Sequence, residues 1–238
     1  MSGIVLTLSS DAPFTLPLAR FGLLQGAFYR LLAADEALAR TVHDKPHGTD
    51  KQYKFFCFSD LHGAHRVRAR SLVFTGDVTW ELRCADERIV ETLRRATENE
   101  PPVTLGEHRL RVSAVGTVDT AVKTRTVRWE TDTPVLYYRT DECGFSTYFA
   151  PTDPAFCAGL ERGAVRKYTA FFGAPPAGDV RISLRSEPRK CVTRYKQSVI
   201  TGYYAAFEVT ADPALLTFLY DTGLGAKNSM GFGTMRGV

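Results

Sequence analysis

Cysteine is scarce in this 238-residue chain, and the five present form no motif. Cys57, Cys84, Cys143, Cys157 and Cys191 contain no Cys-x-x-Cys pair and leave one over if paired. That argues against a disulfide framework, and buried thiols in a reducing compartment are expected. Long apolar runs are missing too. The stretch Leu23 to Leu32 is interrupted by Arg30 and preceded by Arg20, and Met1-Ser-Gly carries no basic leader, so neither a secretory nor a membrane-spanning segment is readable and a cytoplasmic protein without a membrane partner is expected. Low-complexity tracts, an RNP1 aromatic signature and the Gly-x4-Gly-Lys-Ser/Thr nucleotide loop are all absent, which removes disorder, an assigned base-stacking sheet and P-loop chemistry.

What remains is a composition suited to packed cores: 44% hydrophobic and 24% charged residues, within the range of soluble globular chains. The net charge is only +4, but arginine outnumbers lysine 22 to 8. Arginine grips phosphate bidentately and stacks on bases, so the excess leans towards nucleic acid, although a GC-rich coding bias produces the same ratio. The length allows one large domain or two of about 100 to 120 residues.

Periodicity favours two. Val5 to Ser9 alternates as a strand, Leu18 to Val42 carries apolar residues at helical spacing, and Phe55 to Phe58 is β-rich. Extended segments at Val67 to Phe74 and Val78 to Cys84, a helix from Glu87 to Thr97 and a strand near Leu110 to Val118 complete a β-α-β-β-α-β order. The order recurs after Pro134: strand Val135 to Arg139, helix Ala155 to Phe172, strands Val180 to Leu184 and Val199 to Val209, helix Pro213 to Thr222 and a short strand Gly231 to Arg236. An α+β protein of two tandem ferredoxin-like, RRM-like domains follows, spanning 1–127 and 134–238. The polar segment Val127 to Pro134 is expected to break the strand pattern between them.

Gly223-Leu-Gly-Ala-Lys-Asn-Ser-Met-Gly-Phe-Gly233 packs four glycines and a lysine into eleven residues directly after an apolar helix. A single glycine here reads as a helix cap followed by a turn. The whole string, Gly223, Gly225, Lys227, Asn228, Ser229, Gly231 and Gly233, reads better as a loop whose N–H groups and lysine face a phosphate. It resembles the C-terminal glycine-rich motif of the CRISPR-associated endoribonucleases that cut precursor CRISPR RNA within its repeats, members of the RAMP superfamily. Leu24-Gln25-Gly26-Ala27-Phe28-Tyr29, then Val42-His43, then Lys54-Phe55-Phe56-Cys57-Phe58-Ser59 resemble the helix-one tyrosine, loop histidine and lysine-led strand of that family, in the same order.

The resemblance implies Tyr29, His43 and Lys54 as the catalytic positions, carried by the first domain. It also implies CRISPR repeat RNA as the partner, with other CRISPR-associated proteins as further partners, no cofactor, and cleavage without a metal. The 2′-hydroxyl then attacks, leaving a 2′,3′-cyclic phosphate and a 5′-hydroxyl. The chemistry suits these residue types: histidine titrates near neutrality and serves as general acid or base, and lysine is a compact charge for the non-bridging oxygens. A non-catalytic repeat-RNA-binding subunit is the alternative, and a metal-dependent nuclease a third reading.

His43, His47, His62 and His65 cluster within 23 residues. Pro46 and Gly48 make a helical His-x3-His metal pair at His43 and His47 unfavourable, and no paired-carboxylate spacing stands out. His47 rivals His43, and Lys51 rivals Lys54. His62 and His65 read as loop residues or RNA contacts. On one unbroken helix Tyr29 and His43 would lie roughly 21 Å apart, so the helix must break, and Asp35 offers a cap for a second one through Ala37 to Thr41. For RNA holding, Arg181, Arg185, Arg189, Lys190, Arg194 and Lys196 place six cations in sixteen residues, within and just after the first strand of a hairpin. A solvated sheet edge reads the same way.

Overall fold

Ile4, Leu6 and Leu8 are fully buried while Val5, Thr7 and Ser9 are half-buried, the period of two that seats one face of a strand on a core. This strand is the centre of the first sheet in the computed structural model, which describes residues 3–44, 53–98, 102–195 and 198–237 and, of His43 and Asp44, the backbone only. The order is β1 (Gly3–Ser9), β2 (Phe14–Pro17), α1 (Phe21–Leu32), α2 (Glu36–Asp44), β3 (Phe56–Phe58), β4 (His62–Arg68), β5 (Ser71–Cys84), α3 (Glu87–Thr97), β6 (Val103–Leu105) and β7 (His108–Val118). β1 lies antiparallel between β5 and β7, and β3 and β4 pair with β5. Leu24, Phe28 and Leu31 of α1 and Ile89 and Leu93 of α3 close one core with Ile4, Leu6, Phe58 and Trp80.

The second half repeats the topology with β8 (Thr126–Thr131), β9 (Tyr138–Thr140), β10 (Ser146–Tyr148), α4 (Pro154–Phe172), β11 (Arg181–Leu184), β12 (Arg189–Tyr195), β13 (Ser198–Tyr204), β14 (Ala206–Thr210), α5 (Pro213–Thr222), a 3-10 turn at Asn228–Met230 and β15 (Met235–Gly237). Its sheet order is β11-β14-β8-β15. In both halves the first strand sits between the third and fourth, which is the ferredoxin-like arrangement expected for an α+β chain of this pattern. Three helices start on the same device. Asp86, Asp153 and Asp212 accept from Arg88, Ala155 and Ala214 backbone N–H groups at 3.0, 2.8 and 3.0 Å, each cap being worth about 1 kcal/mol.

The expected break between Leu18 and Val42 is present: α1 ends at Leu32, and Asp35 accepts from Leu38 N–H at 2.9 Å to cap α2. Other elements fall elsewhere than periodicity suggested. Val67 to Phe74 spans a turn between β4 and β5, made possible by Ala69 at φ 53°. The polar stretch expected to interrupt the strands contains β8, because Trp129 and Thr131 face the core while Arg128 and Glu130 face out. The strand expected at Val135 to Arg139 is a single bridge from Val135 to Tyr203 followed by the start of β9. Val199 to Val209 is broken at Ala205, whose N–H donates to Thr131 Oγ1 at 2.9 Å; β13 pairs with β12 in a separate ribbon and β14 joins the sheet.

Contacts knit the halves. Arg83, 2% exposed, donates to the carbonyls of Tyr220 and Met235 at 2.8 and 2.7 Å and lies 4.0 Å over the Tyr220 ring. Asp132 accepts from Asp60 N–H at 2.9 Å, and Thr234 Oγ1 donates to Phe58 O at 2.6 Å.

Candidate active site

α1 buries Phe21, Leu24, Ala27, Phe28 and Leu31, and Tyr29 stands at the edge of that face. Phe28 stacks on Phe56 with ring centroids 4.0 Å apart, and the Tyr29 ring meets Phe56 edge-on at 5.9 Å. The ring is therefore fixed while the hydroxyl reaches Lys54, whose Nζ donates to it at 2.9 Å. Burial pushes the Tyr29 phenol up to about 12, with a smaller push from Tyr195, so the hydroxyl stays protonated at neutral pH.

Lys54 is aimed by its neighbour. Phe55 has φ 46°, a left-handed conformation that costs a bulky residue about 1–3 kcal/mol. It is compensated by burial of the Phe55 ring in the second core, 4.9 Å from Phe171 and 5.9 Å from Phe218. The kink sends Phe55 into one half of the molecule and Lys54 towards α1 in the other.

His43 lies in the last turn of α2, and its side chain falls outside the described residues, as do His47, Lys51 and Lys196. Thr41 and Val42 of the preceding turn line a narrow crevice with Tyr53 and Lys54, so the backbone of α2 brings its C-terminal end beside the Tyr29–Lys54 pair.

The glycine-rich loop closes the other side. Gly223, Gly225, Gly231 and Gly233 all have φ between 72° and 88°. The structure gives each a reason inside the protein: a Cβ on Gly225 would sit 2.6 Å from the Leu136 carbonyl, and one on Gly231 would sit 2.7 Å from the Phe58 ring. Asn228 staples the loop, its amide donating to the carbonyls of Leu224 and Phe232 at 3.1 and 2.9 Å. Beneath it, the buried Lys167 of α4 donates to Thr222 O at 3.2 Å, to Asn228 Oδ1 at 3.1 Å and to Gly223 O. Burial lowers the Lys167 ammonium to about 7. Gln25, one turn before Tyr29 on α1, donates to Ser229 O at 2.6 Å and accepts from Tyr195 of β12. The loop, α1 and the β12–β13 ribbon are thus hydrogen-bonded together.

Lys54, Lys227, Asn228 and Ser229 line one cleft of 340 Å³, with Tyr53, Tyr137, Tyr138, Gly163 and Arg166. Lys227, itself in the left-handed region at φ 59°, lies 4.8 Å over the Tyr138 ring. Residues from both ends of the chain therefore meet in one place.

The six-cation segment divides. Arg181 and Arg185 belong to β11 and its end at the edge of the second sheet, where Arg185 pairs with Glu208 at 2.6 Å and Arg181 lies 3.9 Å from Asp179. Arg189, Lys190 and Arg194 are on β12 in the separate ribbon, exposed, with Arg189 4.3 Å over Tyr204. The single hairpin expected from sequence is two elements, because Ser186 and Glu187 turn the chain out of the sheet. His62 and His65 are on strand β4 rather than in a loop. His62 pairs with Asp132 at 2.8 Å, which raises its pKa, and His65 Nδ1 lies 2.9 Å from Gly63 O. Among the described residues, no group of three His, Cys, Asp or Glu side chains is arranged to hold a metal ion, and no helix is long and apolar enough to cross a membrane.

Sequence reasoning missed Gln25, Arg166 and Lys167. The available signal was in α4, where Gly159, Gly163 and Lys167 recur at four-residue spacing, two glycines that an ordinary helix disfavours.

The family model described as CRISPR associated protein Cas6, C-terminal, matches residues 118–236, half of the chain. A Methanocaldococcus jannaschii protein named CRISPR-associated endoribonuclease Cas6 2 is 25% identical over 228 residues, covering 88% of each chain. A solved Cas6-related protein from Pyrococcus furiosus superposes with a TM-score of 0.87 at 17% identity, covering 100% of this chain and 98% of the other. A structure described as a RAMP protein binding different RNA substrates superposes at 0.86 with 19% identity over 100% of both chains.

Proposed function

This chain belongs to the Cas6 family of CRISPR-associated proteins, and on that premise we propose that it is an endoribonuclease that cuts precursor CRISPR RNA within its repeats, without a metal ion. The observation that carries the reading is the 2.9 Å contact between Lys54 Nζ and the Tyr29 hydroxyl at the edge of a cleft shared with the glycine-rich loop. A phosphodiester lying there meets a fixed positive charge and a protonated phenol. The substrate 2′-oxygen attacks phosphorus while its proton passes to a general base, the P–O5′ bond breaks, and the leaving oxygen takes a proton. The products are a 2′,3′-cyclic phosphate and a 5′-hydroxyl.

His43 is assigned the proton transfers, since imidazole is the one side-chain type of the three whose ordinary range lies near neutrality, and the position of α2 beside Lys54 supports it. Tyr29, with its pKa pushed up to about 12, serves as a hydrogen-bond donor to the developing charge rather than as a base. Lys54 neutralises the non-bridging oxygens. Arg189, Lys190 and Arg194 on the ribbon, with Lys227 and Ser229 on the loop that Asn228 staples, hold the RNA backbone; Arg181 and Arg185 make a weaker contribution because they pair with Asp179 and Glu208. We place the join between the two units in the stretch 119–125, between β7 and β8, since β8 pairs within the second sheet.

The test is cleavage of repeat RNA in excess EDTA with analysis of the ends. Cyclic-phosphate and 5′-hydroxyl ends support the mechanism, and activity lost on chelation and restored by a divalent ion overturns it. Tight binding without any cleavage makes the protein a repeat-RNA-binding subunit instead.

A further inference from the structure

The 340 Å³ cleft contains more than the catalytic pair needs. Its lining includes Lys54, Arg166, Lys167 and Lys227 and, among the described residues, no carboxylate. Lys167 is committed to the loop, but Arg166 is exposed and makes no hydrogen bond or ion pair among the described residues, and the Lys227 ammonium meets only the Tyr138 ring among them. Two cations left without anions in a concave site are matched to a ligand that brings its own negative charge. Two glycines of α4, Gly159 and Gly163, line the cleft. A Cβ on Gly159 would run into the Tyr137 ring, so that glycine is demanded by packing, whereas a Cβ on Gly163 would meet nothing within 4 Å. A mid-helix glycine destabilises the helix relative to alanine, and no neighbour among the described residues requires this one.

We propose that this cleft is a subsite for one unpaired nucleotide of the RNA adjoining the scissile phosphate. Arg166 and Lys227 hold the neighbouring phosphate, and Gly163 leaves room for the sugar and base between α4 and the glycine-rich loop. The volume is at the small end of the roughly 300–1,000 Å³ typical of ligand sites, which suits a single nucleotide. Tyr53, stacked on Phe55 with centroids 5.9 Å apart, lines the side nearest Lys54 and offers an aromatic surface for a base. The proposal rests on the endoribonuclease reading for its position next to the cut, though not for its chemistry of recognition.

The test uses the full-length protein and two variants, Gly163→Leu and Arg166→Gln, measured for thermal stability, repeat-RNA affinity at several salt concentrations, single-turnover cleavage and titration with uridine 3′-monophosphate. Leucine is a far better helix former than glycine, so Gly163→Leu is expected to melt no lower than the parent yet to lose about tenfold or more in RNA affinity and to abolish nucleotide binding. Arg166→Gln is expected to weaken RNA binding about tenfold and reduce the salt slope by about one. Unchanged RNA and nucleotide binding in either folded variant overturns the subsite; should Gly163→Leu fail to fold, the exposed Arg166 decides alone. A parent protein that never cuts, but whose binding depends on these residues as expected, defeats the endoribonuclease reading and leaves the subsite standing.

Discussion

Replacing Lys167 with methionine removes the ammonium that ties α5 and the glycine-rich loop to α4. The size of the effect should depend on pH in a calculable way. In the folded chain the ammonium is lowered from its ordinary 10.5 to about 7 by burial. The unfolded chain therefore binds more protons than the native one between those values, and the penalty of burying the charge is complete below about pH 7 and fades as pH rises. At about 1.4 kcal/mol per pH unit, less the rounding near pH 7, the wild type gains roughly 2 kcal/mol from this group between about pH 7 and pH 9. A methionine side chain does not titrate and gains nothing, and it leaves the Thr222, Gly223 and Asn228 oxygens without their donor at about 1–3 kcal/mol each. The variant should be less stable than the wild type at pH 9, by roughly 2 kcal/mol more than at pH 7. Cys57, the titratable neighbour that most affects this ammonium, is pushed up to about 11 and stays neutral over that range. Urea unfolding of both proteins across the range reads the difference directly. A gap that stays constant with pH refutes the assignment of a charge-burial penalty to Lys167.

His43→Ala should slow single-turnover cleavage by about 10²- to 10⁴-fold with little change in RNA affinity; a near-normal rate there with a collapse in His47→Ala would transfer the role to His47. Tyr29→Phe should cost about 10²- to 10³-fold in rate, the usual loss for one charge-stabilising donor, and the parent rate profile should show no tyrosine ionisation up to about pH 10. Gly231→Val should unfold or loosen the loop even without RNA, because its Cβ would strike the Phe58 ring; a variant with unchanged melting temperature and unchanged RNA affinity contradicts the packing argument. The Arg189→Ala, Lys190→Ala pair should flatten the salt dependence of binding by up to one unit of slope for each phosphate no longer held, and an unchanged slope removes the β12–β13 ribbon from the RNA path.

Where local chemistry and packing agree, the structure was legible from the residues. α3 occupies Glu87–Thr97 as its apolar period and the Asp86 cap require, and α5 follows Asp212 and Pro213 in the same way. β8 was not legible because an open sheet face accepts polar residues at every second position, so Arg128 and Glu130 disguise a strand whose Trp129 is buried. The ferredoxin-like order survives such errors because it depends on the sequence of element types rather than their ends. In the site, Tyr29 and Lys54 were readable as residues, but their contact depends on the positive φ of Phe55, which no propensity foretells for a phenylalanine. The loop glycines read from sequence as a phosphate-facing loop, whereas in the structure their conformations answer to Leu136, Phe58 and Asn228 within the protein. Lys167 looks like an ordinary helix lysine until the burial of its ammonium is seen.

The central claim, that the substrate 2′-oxygen is the nucleophile at the Tyr29–Lys54 site, is tested most directly with a repeat RNA carrying a single 2′-deoxy nucleotide just upstream of the cut. The account predicts that this RNA binds as tightly as the all-ribose parent, since the grip proposed for the loop and ribbon is on phosphates, and is not cleaved while the parent is cut to completion. Normal cleavage of the deoxy substrate would require a water nucleophile and would contradict the mechanism.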